Sequence, residues 1–125
     1  MIRLPKAPSI AIVDDDDDVR QALSDLLLVL GLSSSTYDRA EAFLAEYEPG
    51  VFACLITDVR MSGMSGLELL QQLRRAGDAV PVIVITSDTS PKTRIQALEG
   101  GAHAFMTKPV EDSVLLSHLQ SALGR

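Results

Sequence analysis

The sequence predicts an α/β fold, a parallel sheet wound open with helices on both faces, and three observations carry that reading. Short apolar or β-branched runs alternate with helix-periodic segments, the pattern of successive βαβ units. No strand pair is joined by a hairpin signal, so the connections are crossovers and the strands run parallel. Strand after strand then stops at a polar, chemically able group: Asp14-Asp15, Asp58, Thr86-Ser87 and Lys108. In open α/β sheets, ligands collect beyond the carboxyl ends of the strands.

The elements follow in order. Residues 1–8 hold two prolines and no apolar h-region, which reads as an N-terminal tail and not a secretory signal. Residues 9–125 then form one domain. "SIAIV" (Ser9 to Val13) is a buried strand. Val19, Ala22, Leu23, Leu26, Leu27 and Leu30 recur at helical spacing until Gly31, a left-handed cap. "SSSTY" is a weaker strand, suited to a sheet edge, and Asp38 is the expected N-cap of a helix through Tyr47. "FACLIT" (Phe52 to Thr57) is a second apolar strand. A loop rich in Gly, Met and Ser leads into the amphipathic "LELLQQLRRAG", ending at Gly77. "VPVIVIT" (Val80 to Thr86) is another buried strand, and Ser90-Pro91 opens a helix that closes at Gly100-Gly101. "AFMT" (Ala104 to Thr107) is the last strand and Val110 to Leu123 the last helix.

Composition narrows the function. At 125 residues, 46% hydrophobic but only 4% aromatic and without Trp, the chain supports a single aliphatic core. A net charge of −6 argues against holding nucleic acid or anionic lipid through a basic surface. It favours a cation or a basic partner. The lone Cys54 excludes an internal disulfide and, within an apolar run, reads as a small buried hydrophobe. No apolar stretch is long enough to span a bilayer, and the cytoplasm is the expected compartment.

Five consecutive aspartates, Asp14 to Asp18, need an explanation, because unit charges about 4 Å apart repel by roughly 4 kcal/mol near a protein surface. For Asp16, Asp17 and Asp18 a solvated turn at a helix N-terminus suffices. Asp14 and Asp15 leave a buried strand directly, and a hard divalent cation such as Mg²⁺ would relieve their crowding. Asp58, Thr86 or Lys108 alone would be an ordinary turn aspartate, strand-end hydroxyl and surface lysine. Together at successive strand ends they are equipment for stabilising phosphoryl transfer, and a carboxylate is itself able to accept the phosphoryl.

In this order and at these intervals, "IVDDDDDVRQAL", "LITDVRMSGMSGLELL", "PVIVITS" and "AFMTKP" resemble the receiver domain of two-component response regulators. The resemblance covers nearly the whole chain and rests on the four motifs jointly. It implies a flavodoxin-like sheet of order 2-1-3-4-5 with five helices on two faces. It further implies a phosphoacceptor at Asp58, and Mg²⁺ bound by Asp15, Asp58 and the Arg60 main-chain carbonyl, with Asp14 helping through water. Thr86 and Lys108 would bind phosphoryl oxygens, and Thr86 with Phe105 would form the switch. The phosphodonor would be a sensor histidine kinase or a phosphotransfer protein. The face of the fourth helix, fifth strand and fifth helix would carry output, including a homodimer, and a DNA-binding output domain would belong to a longer protein. Such a domain assists its own phosphorylation and dephosphorylation and is not a metabolic enzyme. The Lys108-Pro109 peptide is often cis in this family.

The chain departs from the family pattern at several places. Ser62 stands where a proline is usual, which predicts a looser loop, and the aspartate run is longer than needed. Phe105 lacks the hydroxyl of a tyrosine, leaving a switch to packing alone. His103 and His118 read as exposed polar positions. Two rivals share some residues. A haloacid-dehalogenase-type phosphatase would use Asp15-x-Asp17-x-Val19, Thr86 and Lys108, but it would leave Asp58 unemployed, and this chain lacks room for a substrate-capping insert. A receiver-like interaction domain that no longer accepts phosphate would keep the fold without the chemistry. A flavodoxin-like cofactor carrier would need a Ser/Thr-rich phosphate loop after the first strand, where this chain has aspartates.

Overall fold

The computed structural model describes residues 8–124, so the tail expected over residues 1–8 lies outside the described residues except for Pro8. The elements alternate as β1 (Ser9–Val13), α1 (Asp17–Val29), β2 (Ser33–Tyr37), α2 (Ala40–Glu46), β3 (Cys54–Asp58), α3 (Gly66–Arg75), β4 (Val82–Thr86), α4 (Pro91–Glu99), β5 (Ala104–Thr107) and α5 (Asp112–Ala122). The strands form one parallel sheet in the order β2-β1-β3-β4-β5. This is the expected architecture.

Strand periodicity builds two cores from one sheet. Ala11, Val13, Leu55, Val82 and Val84 pack with Phe43 of α2, Leu69, Leu70 and Leu73 of α3, and Ala97 of α4. The alternate residues Ile10, Ile12, Ile56, Ile83 and Ile85 pack with Leu23 and Leu27 of α1 and Leu115 and Leu119 of α5. Because both faces are covered, β3 and β4 are buried at every position, and their sequences read as continuous apolar runs. The polar β2 occupies an edge. Its position follows from its composition.

Some boundaries differ from the sequence reading. α2 is capped by Arg39, without a side-chain capping bond, because Asp38 stands one residue too early and accepts from Arg39 Nε instead. β4 begins after Pro81, which has no N–H for the ladder, although its carbonyl accepts from Leu55 N–H at 2.9 Å. α5 begins at Asp112 with Glu111 as its N-cap, and the half-buried Val110 before it packs against the core that α1 and α5 share. The Lys108-Pro109 peptide is cis. Among the described residues, no helix is long and apolar enough to cross a membrane.

Candidate functional site

Strand register creates the site. Val13 pairs with Thr57, so the next residues on β1 and β3, Asp14 and Asp58, stand side by side at the carboxyl rim. Asp14 is fully buried, Asp58 is nearly so, and Asp15 is exposed. One carboxylate oxygen from each of Asp14, Asp15 and Asp58 lies within 4.8 Å of the others. Lys108, just beyond β5, reaches back over the rim. Its Nζ lies 3.0 Å from Asp58 Oδ2 and 3.0 Å from Asp14 Oδ2.

Each carboxylate is held in place. Asp58 Oδ1 accepts the Val59 N–H at 2.7 Å, and Asp14 Oδ1 accepts the Asp16 N–H at 2.9 Å. Asp14 Oδ2 is buried, touches the Lys108 ammonium, and accepts no hydrogen bond of good geometry. A buried oxygen in that condition is costly unless charge approaches it. Three converging carboxylates with one under-satisfied oxygen fit a hard divalent cation that takes oxygen donors.

The electrostatics are tense. Burial holds the Asp58 carboxyl above its ordinary value, the neighbouring Asp14 charge adds to this, and the Lys108 ammonium opposes it. Burial works against the Lys108 ammonium, but Asp14 and Asp58 together outweigh it and hold the group above its usual range. The rim therefore carries more negative charge than one lysine offsets.

The rest of the aspartate run is local structure, as expected. Asp16 caps α1, accepting the N–H groups of Asp18 and Val19, while Asp17 and Asp18 occupy the first turn. Asp17 pairs with Arg20, outside the carboxylate cluster, which removes the geometry a phosphatase would need from Asp15-x-Asp17. Arg20 also donates to the Asp14 carbonyl and so braces the end of β1.

The loop after β3 is tied more firmly than Ser62 suggested. Gly66 N–H donates to the Val59 carbonyl at 2.9 Å, and Glu41 of α2 accepts the Met64 N–H at 3.1 Å. Arg60 pairs with Asp88 across 3.1 Å. Thr86 is buried at the end of β4, with its hydroxyl accepting the Asp88 N–H at 3.0 Å. Phe105 is half-buried beside a groove shared with Arg94, Thr107 and Val114. His103 is exposed and meets Ser121, whereas His118 is half-buried and not the exposed position expected. Sequence reasoning missed the Glu41–Met64 bond and the Arg60–Asp88 pair; they join residues 23 and 28 positions apart, and no motif links them.

Comparison with known proteins agrees with this geometry. The family model of the response regulator receiver domain matches residues 10–120. The transcriptional regulatory protein FixJ of Azorhizobium caulinodans is 38% identical over 122 residues, covering 98% of this chain and 58% of FixJ. The response regulator protein TodT of Pseudomonas putida is 38% identical over 118 residues, covering 94% of this chain and 52% of TodT. The chain thus spans about half the length of these relatives. Among solved structures, FixJ-N superposes with a TM-score of 0.82 at 33% identity over 97% of both chains. The BeF3-activated DrrB receiver domain gives 0.86 at 28% identity, over 96% of this chain and 100% of that one. Sheet order, rim carboxylates, lysine and family match converge: the chain belongs to the response regulator receiver domain family.

Proposed function

We propose that this receiver domain is a phosphorylation switch whose acceptor is Asp58. The observation that carries the reading is the position of the Asp58 carboxylate, at the junction of the acidic cluster and the Lys108 ammonium. A carboxylate oxygen of Asp58 attacks the phosphorus of a phosphohistidine on a sensor kinase or phosphotransfer protein. The P–O bond forms as the P–N bond breaks, and the electron pair returns to the imidazole, which takes up a proton. Lys108 stabilises charge on the phosphoryl oxygens, and Thr86 supplies a hydroxyl from the adjoining strand end. Asp14, Asp15, Asp58 and the Arg60 carbonyl would hold Mg²⁺. Bound there, it would offset part of the negative charge of the carboxylates and of the incoming phosphoryl group.

The product adds about −1.5 to −2 charges to the rim, enough to favour a different packing of Thr86 and Phe105. Ile95 and Leu98 of α4 and Val114 of α5 are exposed apolar residues, which supports this face as the output and homodimer surface. A DNA-binding output domain elsewhere in a longer protein accords with FixJ being a transcriptional regulatory protein, and a kinase-fed domain belongs in the cytoplasm. The domain supports its own phosphorylation and dephosphorylation and turns over no separate substrate. The test offers a small-molecule phosphodonor with Mg²⁺ to the wild type and to Asp58→Asn. The wild type becomes labelled and Asp58→Asn does not; equal labelling of both refutes the assignment.

A further inference from the structure

Asp88, in the loop between β4 and α4, joins three parts of the molecule. Its Oδ1 accepts the Ser90 N–H at 2.9 Å, and its Oδ2 accepts the Thr93 hydroxyl at 2.8 Å and Arg60 Nη2 at 3.1 Å. Its own N–H donates to Thr86 Oγ1. Ser90 is the N-cap of α4 and Thr93, in its first turn, is buried. The Ser90 N–H, the Thr93 hydroxyl and the Arg60 guanidinium hold the Asp88 carboxyl well below its usual range. It is therefore an anion under all ordinary conditions.

The attachments are unequal. On the α4 side Asp88 is bound twice within one turn, through a buried threonine. On the other side it has one ion pair, to an Arg60 side chain that is 78% exposed. An exposed single-contact pair is weak and readily traded for a better partner. Arg60 follows Asp58 by two residues, and a phosphoryl group offers several anionic oxygens to a guanidinium fork, a stronger match than one carboxylate oxygen.

We propose that the Arg60–Asp88 ion pair is a latch between the phosphoacceptor loop and the first turn of α4, opened when Arg60 exchanges Asp88 for a phosphoryl group on Asp58. This rests on Asp58 being the acceptor. Asp88 stays with α4 through Ser90 and Thr93, so the break falls at Arg60. Release frees the segment that carries Thr86's hydrogen-bond partner, and α4 is uncoupled from the rim as Thr86 moves. Arg60 thus contacts the phosphoryl group and, by leaving Asp88, releases α4.

The test follows the amide resonances of Ser90 and Thr93 in wild type, Arg60→Gln, Arg60→Lys and Asp88→Asn, with and without Mg²⁺ and beryllofluoride. In the unmodified chain, Arg60→Gln and Asp88→Asn move both amides partway toward their beryllofluoride positions, and Arg60→Lys restores most of the wild-type position. Half-conversion by beryllofluoride needs about two- to fivefold less of it in Asp88→Asn, which opens the latch and leaves Arg60 free for the phosphoryl oxygens, and more of it in Arg60→Gln, which loses that contact as well. If Val59 and Lys108 respond to beryllofluoride while Ser90 and Thr93 are the same in Arg60→Gln as in wild type, the latch is overturned and the acceptor reading stands. If Val59 and Lys108 do not respond, the acceptor reading fails, and the latch with it.

Discussion

Gly66 shows how closely one residue fixes the site. A Cβ placed there would lie 1.9 Å from the Asp58 carbonyl oxygen and 3.1 Å from Thr57 Oγ1, so the N-terminus of α3 reaches the end of β3 only because that atom is missing. The obstacle is backbone, and backbone carrying Asp58. Gly66→Ala is expected to destabilise the fold by about 1–3 kcal/mol in urea titration and to slow phosphorylation of Asp58. Unchanged stability and labelling would show that the loop has slack. The carboxylates give a second expectation at this scale. With Mg²⁺ at ten times its Kd, binding to the folded chain alone adds about 1.4 kcal/mol of stability. Asp15→Asn, which removes the exposed member of the carboxylate cluster and leaves the core alone, is expected to abolish most of that increment. An increment of the same size in the variant would place the cation elsewhere. The strand-end positions of Asp14, Asp15, Asp58, Thr86 and Lys108 were legible in the sequence, because each ends or follows an apolar run and strand ends converge in a parallel sheet. The Arg60–Asp88 pair and the Glu41–Met64 bond were not, since loop conformation brings these distant residues together.

At the scale of elements, β1 and β5 appear with the expected bounds, because each apolar run stops abruptly at polar residues. α3 is instructive in the other direction. Ser65 caps it and the Glu68 side chain accepts the Ser65 N–H, a capping box that joins the end of the Gly-, Met- and Ser-rich loop to the first turn of the helix. That box ties the flexible-looking segment after β3 to a helix whose apolar face is buried by Leu69, Leu70 and Leu73. Ser65→Ala is expected to cost about 0.5–2 kcal/mol by thermal or urea unfolding. Because α3 positions the loop after Asp58, the same change lowers the apparent affinity for Mg²⁺; a loss of stability with unaltered Mg²⁺ affinity would show that cap and site are independent. The failed expectation at Asp38 has the same physics. A capping side chain must stand one residue before the first helical turn, and sequence alone did not settle whether Asp38 or Arg39 holds that place.

Across the whole molecule, two cores share one sheet, and the buried Cys54 with two half-buried tyrosines packed at the edge of a core shapes the response to alkali. Burial pushes the Cys54 thiol from its ordinary 9.0 up to about 12. Burial and hydrogen bonds to Glu46 and Asp78 raise Tyr37 and Tyr47 above 10.0. The unfolded chain releases these protons first, so the folded state binds more protons above about pH 9 and stability falls as pH rises, by at most about 1.4 kcal/mol per pH unit for each group. Urea unfolding at stepped pH should show this decline, shallower near pH 9–10 in Cys54→Ala; a flat profile would mean these groups meet water in the folded state. The fold itself was legible because alternation of apolar runs and helical periods dictates parallel strands, and covering both sheet faces dictates the two cores. The claim on which function rests is narrower: the phosphoryl group goes to Asp58. Labelling the chain with a small phosphodonor and Mg²⁺, trapping the acyl phosphate with borohydride and sequencing the peptides by mass spectrometry locates it directly. Homoserine at position 58 is the predicted result, and homoserine within Asp14 to Asp18 with an intact Asp58 would contradict the account.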